Sequence, residues 1–148
     1  MESWRTVWRN GFAHVLPLKG LESLLDALER DDSRLTQGST TTPPPLMVVQ
    51  DWPCEGCEAI AWTGWQGGEN PACKCVGDVE DHFARMCFEA DERLQEAAAC
   101  RWFLNWFDDT PRSEMLRELR VEVERAISLR TTPAETSAAF EPATIAAA

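Results

Sequence analysis

The chain has 148 residues, a formal net charge of −11 and 44% hydrophobic residues, which suits one globular domain with its own core. So large an excess of acids argues against DNA or RNA as a partner, because binding to a phosphate backbone depends on lysine and arginine. No apolar run approaches the roughly 18 residues of a membrane span, and residues 1–16 lack the apolar core of a signal peptide. We therefore expect a cytoplasmic protein that binds neither nucleic acid nor a membrane, and whose thiols stay reduced.

Two helices are predicted before residue 31. Tryptophan and phenylalanine recur at helical spacing over residues 3–16, and the proline that follows should end this helix. The indoles of Trp4 and Trp8 could pin it to the core or anchor a partner protein. Four leucines give the next helix, over residues 21–30, a single apolar face.

Two short strands are predicted around a cysteine-rich stretch. Residues 46–50 are rich in β-forming side chains after a proline boundary, and residues 59–65 alternate Ile60 and Trp62 with smaller residues. The two segments could pair across the turn between them. They therefore predict a small two-stranded β-hairpin, which would need the helices around it for stability.

The second half of the chain is predicted to be helical. Apolar residues three and four apart predict a helix over residues 78–94. Residues 96–107 have hardly any polar face, which predicts a buried helix with Trp102 and Trp106 in the core. A proline then opens a last amphipathic helix that runs to about residue 130.

Together these elements predict an α+β fold that is mostly helical, with about four helices and a small two-stranded β-hairpin that carries a cysteine cluster. Residues 1–130 are expected to form a single compact domain. Within it, the proline-containing loop 31–45 connects the N-terminal helices to the hairpin and the C-terminal helices. Residues 131–148 are rich in alanine and proline, which predicts a disordered tail.

Four of the six cysteines form a C-x₂-C and a C-x-C within one short stretch: Cys54, Cys57, Cys73 and Cys75. Paired turns of this kind direct four thiolates at one tetrahedral zinc ion. If the chain leaves the first pair as a strand, the loop 66–72 is long enough to bring it back to the second pair. The stretch resembles a zinc ribbon or zinc knuckle, and this resemblance implies one structural Zn²⁺ bound by the four cysteines.

The stretch departs from that pattern at two places. Glu58 stands where a zinc-ribbon turn usually has glycine, and the second cysteine pair is tighter than the usual C-x₂-C. If the C-x-C supplied only one thiolate, Cys87 or His82 could replace the missing ligand. The metal-site hypothesis therefore depends on the folded geometry of both pairs.

Other chemistries stay open for the same residues. The sequence WPCEGC resembles the start of a thioredoxin-type motif, but a reactive cysteine needs a helix N-terminus, where a strand is predicted here. The cysteines could also only fill space, which is what we expect of Cys87 and Cys100 on apolar helical faces. Asp78 and His82, four residues apart on one predicted helix, could form a catalytic or metal-binding pair or an ordinary surface contact.

No phosphate-binding glycine loop, G-x-S-x-G or H-E-x-x-H motif occurs in the sequence. We therefore predict a non-enzymatic, acidic interaction module that binds another protein and is stabilised by one structural zinc. One alternative is a small enzyme or thiol redox protein that uses a cysteine of the 54–75 cluster or the pair Asp78 and His82. The other is a metal-free helical scaffold.

Overall fold

The computed structural model describes residues 3–67 and 73–131. These residues form six helices and one two-stranded antiparallel sheet, so the mostly helical class with a small sheet is confirmed, whereas the predicted number of about four helices is wrong. Of the tail predicted over 131–148, Thr131 ends the last helix, and residues 132–148 lie outside the described residues. None of the helices in the described ranges is long and apolar enough to cross a membrane.

The first helix, α1, changes its hydrogen-bonding pattern along its length. Its ends, Trp4–Val7 and Ala13–Val15, are α-helical, and the middle, Trp8–Phe12, is π-helical. Trp8 and Phe12 are fully buried. The predicted helix over 3–16 is therefore present, and it anchors the N-terminal segment in the core.

The second helix, α2, spans Leu18–Arg30, and its predicted apolar face is confirmed. Leu21, Leu24 and Leu28 on this face are buried. The helix crosses the next one closely, because Gly20 lies against the backbone of Thr63, where a Cβ atom would find no room. Its burial follows from the leucine spacing in the sequence.

The third helix, α3, spans Ala59–Trp65, where a strand was predicted. Glu58 caps it by accepting a hydrogen bond from the backbone N–H of Ala61. Residues 59–64 are all buried, so this helix is surrounded by protein on every side. The strand prediction is wrong because a short, fully buried run shows no periodicity that separates a helix from a strand.

The sheet is built from segments other than the predicted ones. Strand β1, Thr41–Thr42, pairs antiparallel with β2, Gly56–Cys57. Leu35 forms a parallel bridge to Cys57 on the other side of β2. The 31–45 loop therefore supplies both neighbours of β2, and it is a structural part of the fold rather than only a connector.

The predicted strand 46–50 is also wrong. These residues belong to a surface loop that contains one short 3₁₀ turn, Met47–Val49. Val49 is buried, whereas Met47 and Val48 are largely exposed. The β-forming residues of this segment pair with no strand among the described residues, because the prolines before them place the segment at the surface.

Three more helices complete the fold. Helix α4 spans Val76–Leu94, helix α5 spans Arg101–Asp109 and helix α6 spans Arg112–Thr131. The helix predicted over 96–107 begins later because Gln95 and Ala98 have left-handed backbone conformations that interrupt it.

Helix α5 is not buried all round as predicted. Phe103 and Phe107 are fully buried, but Trp102 is 53% exposed and Trp106 is partly buried. The two phenylalanines meet the aromatic side chains of α1, and the ring of Phe103 lies 5.4 Å from that of Phe12. The centre of the core is therefore an aromatic cluster between α1 and α5.

Helix α6 lies beside α1 and runs parallel to it. Arg5 pairs with Glu118 at 3.2 Å, and Arg9 donates two hydrogen bonds to the carboxylate of Glu122 at 2.9 and 2.7 Å. Farther along, Arg130 donates to the carbonyl oxygens near the end of α1. The residue numbers of the paired positions increase together along both helices. Helices α1 and α6 are therefore parallel and pack side by side.

Candidate interaction surface and cysteine cluster

The two cysteine pairs of the 54–75 stretch lie on neighbouring segments. The backbone N–H of Cys54 donates to the carbonyl of Lys74 at 2.9 Å, and Pro53 forms an antiparallel bridge with Cys75. Cys57 follows on β2. The predicted return of the chain to the first pair is thus present, although α3 rather than a strand carries the chain away.

The thiols of the first pair interact directly. A hydrogen bond from Cys57 lowers the pKa of Cys54 to about 7, against the opposing effect of burial. The Sγ atom of Cys54 also lies 3.2 Å from the carbonyl oxygen of Gly56. Burial raises the pKa of Cys57 well above its ordinary value, and the nearby thiols Cys54 and Cys73 raise it further.

The second pair is tied to the start of α4. Cys75 donates a hydrogen bond from Sγ to the carboxylate of Asp78 at 3.2 Å, and Cys73 contacts the carbonyl oxygen of Asp78 at 3.6 Å. Burial raises the pKa of Cys73 to about 11, and the charges of Asp78, Cys54 and Cys75 act in the same direction. Each pair therefore lies within electrostatic range of the other.

The four thiols of the two cysteine pairs are suitable zinc ligands, because they come from two adjacent turns. Within residues 3–67 and 73–131, however, no group of three or more cysteine, histidine, aspartate or glutamate side chains is placed so that it could hold a metal ion. Zinc binding by Cys54, Cys57, Cys73 and Cys75 therefore stays a prediction.

The other predicted pair, Asp78 and His82, has two different sets of partners. Asp78 accepts from Cys75, as described above. His82 is buried, and its Nε2 atom lies 2.9 Å from the hydroxyl of Thr63. Burial lowers the pKa of His82 to about 4, with help from the charge of Arg85, so the ring is neutral near pH 7. The imidazole joins α4 to α3 instead of facing Asp78.

Glu58, noted in the sequence only as a departure from the zinc-ribbon pattern, is a buried carboxyl group. One oxygen caps α3, and the other, Oε2, has no hydrogen-bond partner among the described residues. Burial raises the pKa of Glu58 to about 8, and the charges of Asp108 and Glu80 add to this effect. The carboxyl group therefore occupies the helix N-terminus that a redox cysteine would need.

An exposed group of large apolar side chains lies next to the cysteines. We call it the apolar ridge, and its members are Leu46, Met47, Val48 and Trp52. Their exposed fractions are 61, 87, 78 and 55%. Contiguous exposed apolar side chains on a soluble domain mark an interaction site more often than a chance arrangement.

The backbone under the apolar ridge is held to α4. The carbonyl of Gln50 accepts from Gly77 at 2.9 Å, and the carbonyl of Trp52 accepts from Val76 at 2.8 Å. The approach is close, since a Cβ atom at Gly77 would lie 3.2 Å from the carbonyl oxygen of Gln50. Together with the bond from Cys54, these contacts hold the backbone at Gln50, Trp52 and Cys54, next to the exposed side chains of the ridge.

Acidic side chains flank the apolar ridge. Asp51 and Glu55 are exposed on the same segment, and Lys74 is the exposed cation on the neighbouring turn. Over residues 51–110 the sequence has thirteen acids and four bases. The ridge is therefore an apolar surface with an acidic border.

The sequence analysis assigned Leu46, Met47 and Val48 to a strand and missed the exposure of the ridge. The available signal was the run of three prolines before Leu46, since prolines disfavour a central strand and keep a segment at an edge or at the surface. Comparison of the chain with protein-family models, with curated proteins and with solved structures found no match.

Proposed function

We propose that the protein is a non-enzymatic interaction module that binds another protein through the apolar ridge. The observation that carries this proposal is the exposure of four large apolar side chains on one short segment whose C-terminal part, at Gln50 and Trp52, is held to α4 by hydrogen bonds. An ordinary exposed loop would lose conformational freedom on binding, whereas a fixed one loses less. The ridge is thus suited to act as a preorganised anchor.

The composition of the ridge fits the anchoring part of an interface. Tryptophan is among the residues that contribute most to binding energy, and methionine adapts to irregular partner surfaces. Trp52 and Met47 supply these two types on one short segment. The remaining members would exclude water around them.

Charge indicates the kind of partner. The chain carries a net charge of −11, and Asp51 and Glu55 border the ridge. Complementary potentials steer association and disfavour partners of like charge. We therefore expect the partner to present an apolar segment flanked by lysine or arginine.

The cysteine cluster has a supporting role in this proposal. Cys54 and Cys75 lie at the base of the ridge, where the chain pairs with the turn before α4. A zinc ion bound there by the four cysteines would hold that base through coordination bonds, which are stronger than the few hydrogen bonds there. Zinc would thereby fix the ridge without touching the partner.

The test is selection of peptides from a random library displayed on phage against the full chain. Enriched peptides should combine apolar residues with lysine or arginine. A Met47→Ser, Trp52→Ser double variant should weaken their binding at least roughly tenfold, as expected when anchor residues are lost. Binding should also weaken with added salt, because the charges that border the ridge are exposed.

The matched control is Val121→Ser, which removes an apolar side chain that is 52% exposed on α6, away from the ridge. This variant should bind the selected peptides as the unmodified chain does. Peptides that bind the double variant equally well, or that lose binding in the control, would contradict the proposal. Acidic peptides as the dominant class would contradict the expected partner chemistry.

A thiol redox function is the second candidate, and the contact between Cys54 and Cys57 favours it. The lowered pKa of Cys54 gives it more thiolate at neutral pH than an ordinary cysteine has. Alkylation with iodoacetamide as a function of pH tests this candidate. Cys54 should react with a midpoint near pH 7, and a midpoint above 8.5 would argue against it.

A further inference from the structure

A cleft between α1 and α6 lies apart from the ridge and the cysteines. Its volume is about 160 Å³. Trp8, Glu122 and Ala126 are its buried lining residues. The rim consists of Arg9, His14, Arg125, Leu129 and Arg130, with Ala13 partly buried beside them.

The rim gathers arginines that have no carboxylate partner. Among the described residues, most arginines form ion pairs, and those that do not are Arg85, Arg93, Arg101, Arg125 and Arg130. Arg125 and Arg130 line the cleft directly. In a chain of net charge −11, positive groups without a carboxylate partner at one place are unusual, because acids outnumber them elsewhere.

The lowered pKa of His14 indicates positive charge near the same cleft. Its pKa is lowered by burial and then by the charges of Arg93 and Arg130, so both arginines lie near the ring. Arg130 also donates to the carbonyl oxygens of Ala13 and Leu16, and these bonds hold its guanidinium at the end of α1. The cationic groups are thus partly fixed in position.

The carboxylate in the cleft does not balance these charges. Glu122 accepts two hydrogen bonds from Arg9 and lies 3.4 Å from Arg5, so its charge is already matched within the α1–α6 contact. Arg125 lowers the pKa of Glu122 from a distance and forms no ion pair with it. What remains toward the opening is a net positive rim.

The lining is apolar beneath this rim. Trp8 and Ala126 close its floor, and Ala13 and Leu129 supply apolar surface at its side. The cleft has room for several water molecules or for a small ligand. We propose that this cleft binds a small monocarboxylate whose carboxylate meets Arg125 and Arg130 and whose short apolar body lies against Ala13 and Leu129.

The test is an NMR titration of the ¹⁵N-labelled full chain with sodium butyrate. The amide signals of Ala126 and Leu129 should shift and saturate. Neutral 1-butanol and inorganic phosphate are the matched probes, because one has the apolar body alone and the other the negative charge alone. Both should bind at least roughly fivefold more weakly than butyrate if charge and apolar contact act together.

Two variants separate the parts of the site. Arg125→Gln should weaken butyrate binding roughly tenfold, the effect of losing one charge-assisted hydrogen bond. Leu129→Ser should weaken butyrate binding but leave phosphate binding unchanged. Arg101→Gln, which removes an exposed arginine without an ion pair outside this cleft, is the control and should change neither.

Three results would overturn the proposal. The first is a butyrate shift that does not saturate. The second is a shift that persists at the same affinity in Arg125→Gln, and the third is equal binding of butyrate and 1-butanol. Phosphate binding as strong as that of butyrate would replace the proposed ligand class by simple anions. The three variants alter exposed side chains, so their unchanged spectra elsewhere would show that the fold is retained.

Discussion

The indoles of Trp4 and Trp106 stack on each other, with ring centroids 3.6 Å apart and planes inclined by 9°. This contact joins the start of α1 to α5. Trp102, one turn earlier on α5, is 53% exposed. Trp102 and Trp106 were both predicted to lie in the core, but among the described residues only Trp106 packs against another aromatic ring of the core.

We predict that Trp106→Ala lowers the free energy of unfolding by about 2–3 kcal/mol, because it removes a stacked aromatic contact and buried apolar area. Trp102→Ala is the matched control and should change it by about 0.5 kcal/mol or less, as is usual for exposed positions. Urea unfolding followed by circular dichroism measures both values. Equal losses in the two variants would show that the stack contributes nothing specific.

Glu58 should make stability depend on pH. Its pKa rises from 4.5 to about 8 on folding, so the folded state holds a proton that the unfolded state has lost. The wild-type chain should therefore lose stability from this group as pH rises from about 4.5 to about 8. Glu58→Gln keeps the oxygen that caps α3 and removes the titration.

Urea unfolding of Glu58→Gln and wild type at several pH values provides the measurement. The variant should gain stability relative to wild type as pH rises through this range. Comparing the two proteins at each pH cancels the contributions of other titrating groups. A constant difference across the range would mean that Glu58 is ionised in the folded protein.

His82 should titrate at unusually low pH. Its folded pKa is about 4, below the ordinary value of 6.5, because the buried ring is costly to charge. The chain has only two histidines, so both are readily resolved by ¹H NMR. His82→Gln assigns the signals, and the remaining resonance belongs to His14.

The same shift predicts acid sensitivity. Because the folded pKa is depressed, the stability that neutral His82 supports is present above about pH 6.5 and is lost as pH falls toward 4. A midpoint near 6.5 for His82 would contradict both the burial of the ring and its bond to Thr63.

Zinc should bind to the chain with a stoichiometry of about one, if the cluster is a structural site. Mass spectrometry of protein purified without a chelator should detect the metal. Cys54→Ser and Cys73→Ser should each release it and lower stability, because metal binding and folding are coupled. Cys87→Ser is the control, since the free thiol of Cys87 forms a hydrogen bond with Cys100 and not with the cluster.

The zinc prediction has a clear negative outcome. Unfolding curves that coincide with and without a strong chelator, together with no metal in the purified protein, would leave six free thiols and no structural ion. The apolar ridge would then depend on hydrogen bonds alone for its position. The peptide selection described above remains informative in that case, because it depends on the ridge side chains.

The amphipathic helices could be predicted from the sequence because each has one apolar face. The predicted ranges 21–30 and 78–94 differ from α2 and α4 by no more than three residues at either end. Their leucine, valine and methionine spacing matches the helical period. The same is true of α6, where Met115 and Leu119 are buried as expected.

Other elements carried no such periodic signal. Ala59–Trp65 is buried on all sides, so its pattern does not separate helix from strand. The helix predicted over 96–107 begins late because the carboxylate of Asp91 accepts from the N–H groups of Ala98 and Cys100 and stabilises a turn there. Such capping contacts cannot be predicted from the spacing of apolar residues.

The candidate site was predicted only in part. The cysteine pairs could be recognised by their spacing, and the structure places them on adjacent segments. The exposure of Met47 and Val48 was missed because apolar residues are more often buried, and the three prolines before Leu46 were the only signal against a strand. The cleft beside Arg125 also depends on the contact between two helices more than a hundred residues apart in the chain.

The parallel contact between α1 and α6 has a consequence for synthesis of the protein. Trp8 donates its indole N–H to the carbonyl of Glu122, so a buried polar group of the first helix finds its partner almost at the end of the described chain. A growing chain can cover the aromatic face of α1 with α5, but the bond from Trp8 forms only after this part of α6 has been made. The α1–α6 contact therefore forms only after residue 122 has been synthesised, and fragments that stop before residue 112 should be destabilised because the Trp8 N–H lacks its acceptor.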